Sequence, residues 1–285
     1  MISDITLGQF FPGFSVIHKL DPRTKIILGT LFIVAIFVAN TPAVLLFLGL
    51  CTVLLVLATR INFAVIVKGI KPLVFILLFT SLLNIFLTKG ASEPLVSFYF
   101  INIYEEGIIR AFFMSFRVII LIVGTSVLLS YTTSPISLTD GIESLLKPLK
   151  AIGVPVGTFA MMMSIALRFI PTLVEETEKI MNAQKSRGAD FANGNLIKKV
   201  KALIPILIPL FLSSFKRADE LATAMECRCY RGDKNRTKMV KLTYRAKDFV
   251  FMLLFALLLG GVIYMRFIPA FTSENIILRI LFYNI

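Results

Sequence analysis

Five nearly uninterrupted apolar runs constrain this chain before anything else: Ile26–Ala39, Ala43–Ala58, Leu73–Leu87, Ile108–Tyr131 and Phe249–Tyr264. With their flanks, each is at or near the length that crosses a hydrocarbon core of roughly 30 Å, Leu73–Leu87 being slightly short. Asn40-Thr41-Pro42 separates the first two as a tight turn, because Pro42 disfavours helix at the residue before it and suits a helix start. The apolar share of 57% and mean hydropathy of +0.85 exclude an ordinary soluble domain. The tail Ile276–Ile285 is apolar but too short to cross, and is expected at the interface.

The net charge of +13 follows from membrane topology without any polyanion, and no nucleic-acid recognition motif accompanies it. Lys19, Arg23 and Lys25 precede the first run, and Arg60, Lys68 and Lys71 follow the second. The stretch from Lys89 to Glu106 holds one Lys against three Glu, whereas Thr132–Lys247 holds 19 of the 30 basic residues. Alternating basic and basic-poor connectors place the amino terminus and the long insert in the cytoplasm. Met1–Leu20 has no basic region followed by a short apolar core, so the first span is expected to act as its own insertion signal.

Arg110 and Arg117 share one face of the fourth run. The reading preferred is a guanidinium satisfied by carbonyls or by the interfacial segment; the alternative is an ion or substrate path. Cys51 reads as a buried small hydrophobe, and Cys227 with Cys229 are two thiols short of a zinc site. His18 has no nucleophile or second ligand in view, and Met161-Met162-Met163 suits adaptable packing better than a metal. Catalytic residues, a metal and a cofactor are therefore all expected to be absent.

The insert is of another kind. In Phe159–Gly188 apolar residues recur at three- and four-residue steps, and Arg168, Glu175, Glu176, Glu178, Lys179, Asn182 and Lys185 fall on the other side. Gly188 supplies the helix stop after Ser186 and Arg187. In Leu207–Gly232 the stripe runs from Leu207 to Cys229, with Lys216, Arg217, Asp219, Glu220, Glu226 and Arg228 on the wet face and Pro205 and Pro209 near the start. A shift of 41 residues superposes Ala183 on Ala224, Glu178 on Asp219 and Arg187 on Arg228. Two such helices can cross through their small and apolar stripes, in which Met162, Ala166, Leu173, Ser214 and Ala218 lie. Projecting Arg ends suit acidic grooves on a partner, since guanidinium binds carboxylate bidentately. The competing reading is a pair of helices lying on anionic lipid, which explains Lys198, Lys199, Lys201 and the Lys234–Lys247 run.

Leu20-Asp21-Pro22-Arg23-Thr24-Lys25, Leu128-Leu129-Ser130-Tyr131-Thr132-Thr133-Ser134-Pro135 and Ala166-Leu167-Arg168-Phe169-Ile170-Pro171 follow one another along the chain. In that order they resemble the motifs of the transmembrane T component of energy-coupling factor (ECF) transporters. That family ends each of two coupling helices in an Ala-Arg-Gly triplet. Here the triplets are Ser186-Arg187-Gly188 and Cys227-Arg228-Cys229, with Tyr230-Arg231-Gly232 as a competing register. The resemblance implies a non-enzymatic scaffold in the bilayer. Two cytosolic ABC-type ATPases would grip the coupling-helix ends, and a membrane S component that captures a vitamin or metal ion would dock against the helices.

The expected fold is all-α, with about five membrane helices and two long cytoplasmic coupling helices. Residues 1–131 would form a membrane domain, 132–246 the coupling region, and 247–285 the last span and tail. A membrane enzyme would need a His, Cys or metal-type cluster beside Glu175-Glu176-Glu178 or Asp219-Glu220, and none is there. A self-contained secondary transporter would show its repeat among the spans rather than in the insert. No phosphate-binding Gly-rich loop exists to power transport.

Overall fold

The computed structural model describes residues 10–88, 96–98, 101–189, 191, 196–232 and 242–267. The tail Ile276–Ile285 and the basic stretch from Lys234 to Lys241 lie outside them. Nine α-helices are described, in two compact units.

The larger unit, residues 8–141 with 242–285, contains α1 (Pro22–Val38), α2 (Pro42–Thr59), α3 (Phe63–Ile70), α4 (Val74–Leu87), α5 (Glu105–Thr125) and α9 (Ala246–Phe267). Pro at the first position starts both α1 and α2, as the turn chemistry predicts. Asp21 caps α1 by accepting from the Arg23 N–H at 2.9 Å. Helical structure reaches back from Leu87 to Phe63, well before the expected start at Leu73. Pro72, which has no N–H to donate, is absorbed in a 3₁₀ turn over Lys71–Leu73 that joins α3 to α4. A two-stranded antiparallel hairpin, β1 (Val96–Phe98) and β2 (Ile101–Ile103), was not foreseen. A π-helical turn over Ser126–Tyr131 extends α5.

Among the described residues, five stretches are long and apolar enough to cross a membrane: Pro42–Thr59, Phe63–Leu87, Glu105–Tyr131, Val156–Ser186 and Ala246–Met265. The number is the expected one, but the membership differs. At 17 residues, α1 spans about 25 Å and falls just short. Val156–Ser186 joins because its first half holds a single charge, Arg168, and its remaining charges follow Val174. Side chains such as Phe37, Leu57 and Phe75 are two-thirds or more exposed, the outward apolar surface a bilayer covers.

In this unit Leu28, Phe32 and Ile36 of α1 pack with Leu45 and Leu48 of α2, Ile120 of α5, and Phe255 and Val262 of α9. Gly124 permits the approach of α5 to α1, since a Cβ there would collide with the Phe32 ring. The Arg117 guanidinium donates to the carbonyl of Ala39, the residue that ends α1. That is the carbonyl-satisfied arrangement preferred from the sequence.

Lys25 is fully buried, and its ammonium donates to the carbonyls of Thr132 (2.7 Å) and His18 (3.2 Å). It thereby ties the Leu20–Lys25 segment to the Leu128–Pro135 segment. Burial, as the largest cause, lowers its pKa to about 8, and the carboxylates of Asp248 and Asp21 oppose that shift. Asp248 accepts from the Asp21 N–H at 2.9 Å and from the Arg245 N–H at 2.7 Å, which docks the start of α9 beneath α1. His18 is held by Ser15 at Nδ1 (2.7 Å), and its Nε2–H donates to the Phe11 carbonyl (3.1 Å). Burial, as the largest cause, lowers its pKa, so the ring stays neutral at pH 7.

The smaller unit, within residues 142–241, holds a 3₁₀ turn (Lys147–Ile152), α7 (Val156–Ser186) and α8 (Leu196–Cys227). Before it, α6 (Pro135–Leu145) begins at Ser134, whose Oγ accepts from the Ser137 N–H at 3.2 Å. No helix was expected over residues 135–152. Lys25→Met should lower unfolding stability by about 3–5 kcal/mol, because two buried carbonyls and two carboxylates lose their cation. A thermal unfolding midpoint in detergent equal to wild type would contradict that.

Candidate functional site

The two long helices of the smaller unit carry most of the residues singled out from the sequence. α7 starts at Val156 and α8 at Leu196, eleven residues before the expected Leu207. Pro205 and Pro209 are consequently interior rather than near a start, as Pro171 is in α7. Pro209 offers no N–H to the Pro205 carbonyl, which loosens α8 there without ending it.

The helix ends are built alike. Arg187 is the first residue beyond α7, and Gly188 follows in the left-handed region at φ 87°. The Gly188 N–H donates to the Lys185 carbonyl and the Ala189 N–H to Gln184, both at 3.0 Å. At α8 the same pair of bonds runs from Cys229 to Glu226 (2.8 Å) and from Tyr230 to Met225 (3.1 Å). Arg228 is the first residue beyond that helix, and Cys229 takes the left-handed position at φ 57°. Both are Schellman ends, registered at the 41-residue offset. The expected second helix end at Gly232 is thus corrected to Cys227, and Arg228 rather than Arg231 is the backbone counterpart of Arg187. Arg231 lies beyond the cap, next to a turn at Gly232 (φ 79°). Ser186, Arg187, Gly188, Cys227, Arg228, Cys229 and Arg231 are all exposed.

A cleft of about 480 Å³ lies between the helices, lined by Ile165, Phe169 and Leu173 of α7 and by Ser214, Arg217, Ala218, Leu221, Ala222, Met225, Glu226 and Tyr230. Of the expected crossing residues, Leu173, Ser214 and Ala218 line it. Met162 and Ala166 do not; both are exposed. The apolar stripe of α8 is only partly used, since Leu207 and Phe211 are about 60% exposed.

At the head of the cleft stands an arrangement missed in the sequence. Glu176 Oε2 meets the Arg217 guanidinium at 2.9 Å, and the Ser213 hydroxyl donates to Glu176 Oε1. Both charged residues had been assigned to the wet faces. They are half-buried and face each other. The signal available was their opposite charge at the same 41-residue offset. The cleft is bounded by the part of α7 before Glu176 and the part of α8 after Ser213. The helices therefore pass each other in opposed directions, and their Arg-bearing ends leave the crossing on opposite sides.

Among the described residues, no group of three or more His, Cys, Asp and Glu could hold a metal ion. Cys227 and Cys229 are free thiols on the surface, and Cys51 is half-buried.

These features define a multi-pass helical membrane protein that carries a crossed pair of long helices with Arg at both ends. A family model described as cobalt transport protein (CbiQ) matches residues 13–239. The energy-coupling factor transporter transmembrane protein EcfT of Clostridium kluyveri is 55% identical over 250 residues, covering 88% of this chain and 92% of that protein. Those of Ruminiclostridium cellulolyticum and Bacillus subtilis are 54% and 48% identical, each over 87% of this chain and over 92% and 93% of their own length. The chain belongs to the CbiQ/EcfT family, the transmembrane T components of ECF transporters.

A β-branched residue pays about 1–2 kcal/mol in the left-handed region. Gly188 has open space around it, so Gly188→Val should act through that strain alone. Amide exchange at Ala189 should quicken, while Cys229→Gly should slow exchange at Tyr230. Equal exchange at both amides in the variants and wild type would contradict the shared cap geometry.

Proposed function

We propose that this chain couples ATP hydrolysis to the uptake of a vitamin or other micronutrient, as the energy-coupling subunit of an ECF-type ABC importer, and is itself no enzyme. Two cytosolic ABC-type ATPases hold the ends of α7 and α8, and a membrane-embedded S component that binds the cargo docks against the helices. The amino terminus and the insert face the cytoplasm, in keeping with the 19 basic residues between Thr132 and Lys247. Residues 1–131 act as the membrane domain, 132–246 as the coupling region and 247–285 as the closing span.

One observation carries this reading: two opposed helices end in the same capped, exposed arginine. A Schellman cap fixes the backbone just past each guanidinium. Each arginine is thereby presented on a defined stalk, where a carboxylate groove on another chain can take both of its N–H edges. Opposed ends call for two partner sites, one per helix, which suits a pair of like ATPases. Ser186 and Gly188, and Cys227 and Cys229, are the small neighbours that leave each arginine accessible. Arg231 and Gly232 lie at the margin of the second site.

Arg187→Glu or Arg228→Glu alone should weaken ATPase retention roughly tenfold or more, the usual loss of a charge-assisted hydrogen bond. The double substitution should leave no ATPase on the chain when it is purified from its native membrane. Mass spectrometry of the co-purified proteins reads the result. Full retention of both ATPases on the double variant would refute the docking role.

A further inference from the structure

The 41-residue offset that pairs Arg187 with Arg228 also pairs Glu176 with Arg217, and these two residues are the ones in contact. Each lies eleven residues before its helix's terminal arginine. At 1.5 Å per residue, both arms measure about 16 Å from the ion pair to the tip. The ion pair thus marks a crossing point from which two opposed arms of equal length extend.

The chemistry at that point is directional. Glu176 spends one carboxylate oxygen on the Ser213 hydroxyl and the other on the Arg217 guanidinium. Ser213 and Arg217 are four apart and so occupy one face of α8, one turn from each other. A carboxylate held at both oxygens by two groups on one rigid face fixes the position of that helix along its axis and limits its roll. Rotation about the contact itself remains the open freedom. Neighbouring contacts are softer. Leu173, Ser214 and Ala218 are small or flexible, and the cleft beside them, between the α8 arm and the part of α7 before Glu176, leaves room for that arm to swing. Pro171 precedes Glu176 by five residues and Pro209 precedes Ser213 by four, so each helix is loosened just before the contact and continuous after it.

We infer that Glu176, Ser213 and Arg217 form the pivot of the two coupling helices, a polar clasp that turns movement at one arginine tip into movement at the other. They are positioning residues, acting through the tips rather than on nucleotide or cargo. This inference rests on the energy-coupling reading, but its physical core, the clasp fixing the crossing, can be tested apart from it.

The test uses the full chain purified from its native membrane with the proteins it retains. Spin labels on genetically encoded amino acids replace Asn182 and Thr223, exposed positions at the same offset on the two arms, so that Cys227 and Cys229 stay native. Pulsed dipolar spectroscopy reads the distance between them without nucleotide and with ATP plus orthovanadate. The parent chain should give one narrow distribution that shifts with ATP and vanadate. Glu176→Gln and Arg217→Met should each broaden it and abolish the shift, while the ATPases stay bound and still hydrolyse ATP. Exchanging the charges, Glu176→Arg with Arg217→Glu, should restore a narrow distribution and its shift. Ser213→Ala should broaden the distribution less than either charge variant.

Unchanged distributions in the single variants would overturn the pivot, since packing alone would then set the crossing. So would impaired singles that the charge exchange fails to rescue, or loss of the ATPases from variants whose arginine tips are intact. If the parent chain retains no ATPase, the energy-coupling reading fails on its own. The nucleotide-free distances of the parent and variant chains still decide the clasp in that case.

Discussion

A carbonyl at the end of a membrane helix has no intrahelical partner and, away from water, must find one elsewhere. Long cations meet that need at the places where the membrane unit is joined. Lys25 closes the carbonyls of Thr132 and His18, and Arg117 closes that of Ala39. Asp248 serves the opposite polarity, accepting the N–H groups of Asp21 and Arg245. The bonds from Lys25 to Thr132, from Arg117 to Ala39 and from Asp21 to Asp248 link segments 78 to 227 positions apart, so satisfying the backbone and assembling the bundle are one event. The cost of burying a lysine is offset in part by the two carbonyls that accept from it and by two carboxylates that favour its charge. Apolar packing of α1 against α2, α5 and α9 then fills what the polar ties have registered.

The same constraint acts differently where the helices end in water. There the Schellman bonds close the last carbonyls of α7 and α8 internally, leaving Arg187 and Arg228 free of backbone duty. Their charge is available to another chain. A cation that completes its own fold, such as Lys25, and one left exposed on a capped end are chemically similar residues in opposite surroundings. Local backbone satisfaction decides which is which. The long, continuous helices behind the capped ends suit transmission of force, because a helix is stiff along its axis while its interior prolines allow bending at defined turns.

Much of this was legible without coordinates. The apolar runs announced the membrane helices, the Asn-Thr-Pro turn placed the start of α2, and Gly188 marked the end of α7. The extent of α3 with α4 and the early start of α8 were missed because proline was read as a boundary. In each case the chain tightened or continued through it. The helix over Pro135–Leu145 was overlooked because its periodicity is short and its polar residues, Ser137, Thr139 and Asp140, read as loop. Glu176 and Arg217 were placed on the wet faces because a helical wheel sorts residues by polarity, and a polar crossing defeats that sorting.

Hydropathy and spacing determined by themselves that the chain crosses a membrane several times and that two arginine-ended helices repeat at one offset. Both are properties of a single segment read against water or lipid, and need no partner. Which arginine answers Arg187, which charges meet across α7 and α8, and which carbonyls Lys25 closes were decided only by tertiary structure. Those choices depend on backbone handedness at one residue and on pairings between segments up to 227 positions apart, which no local pattern encodes.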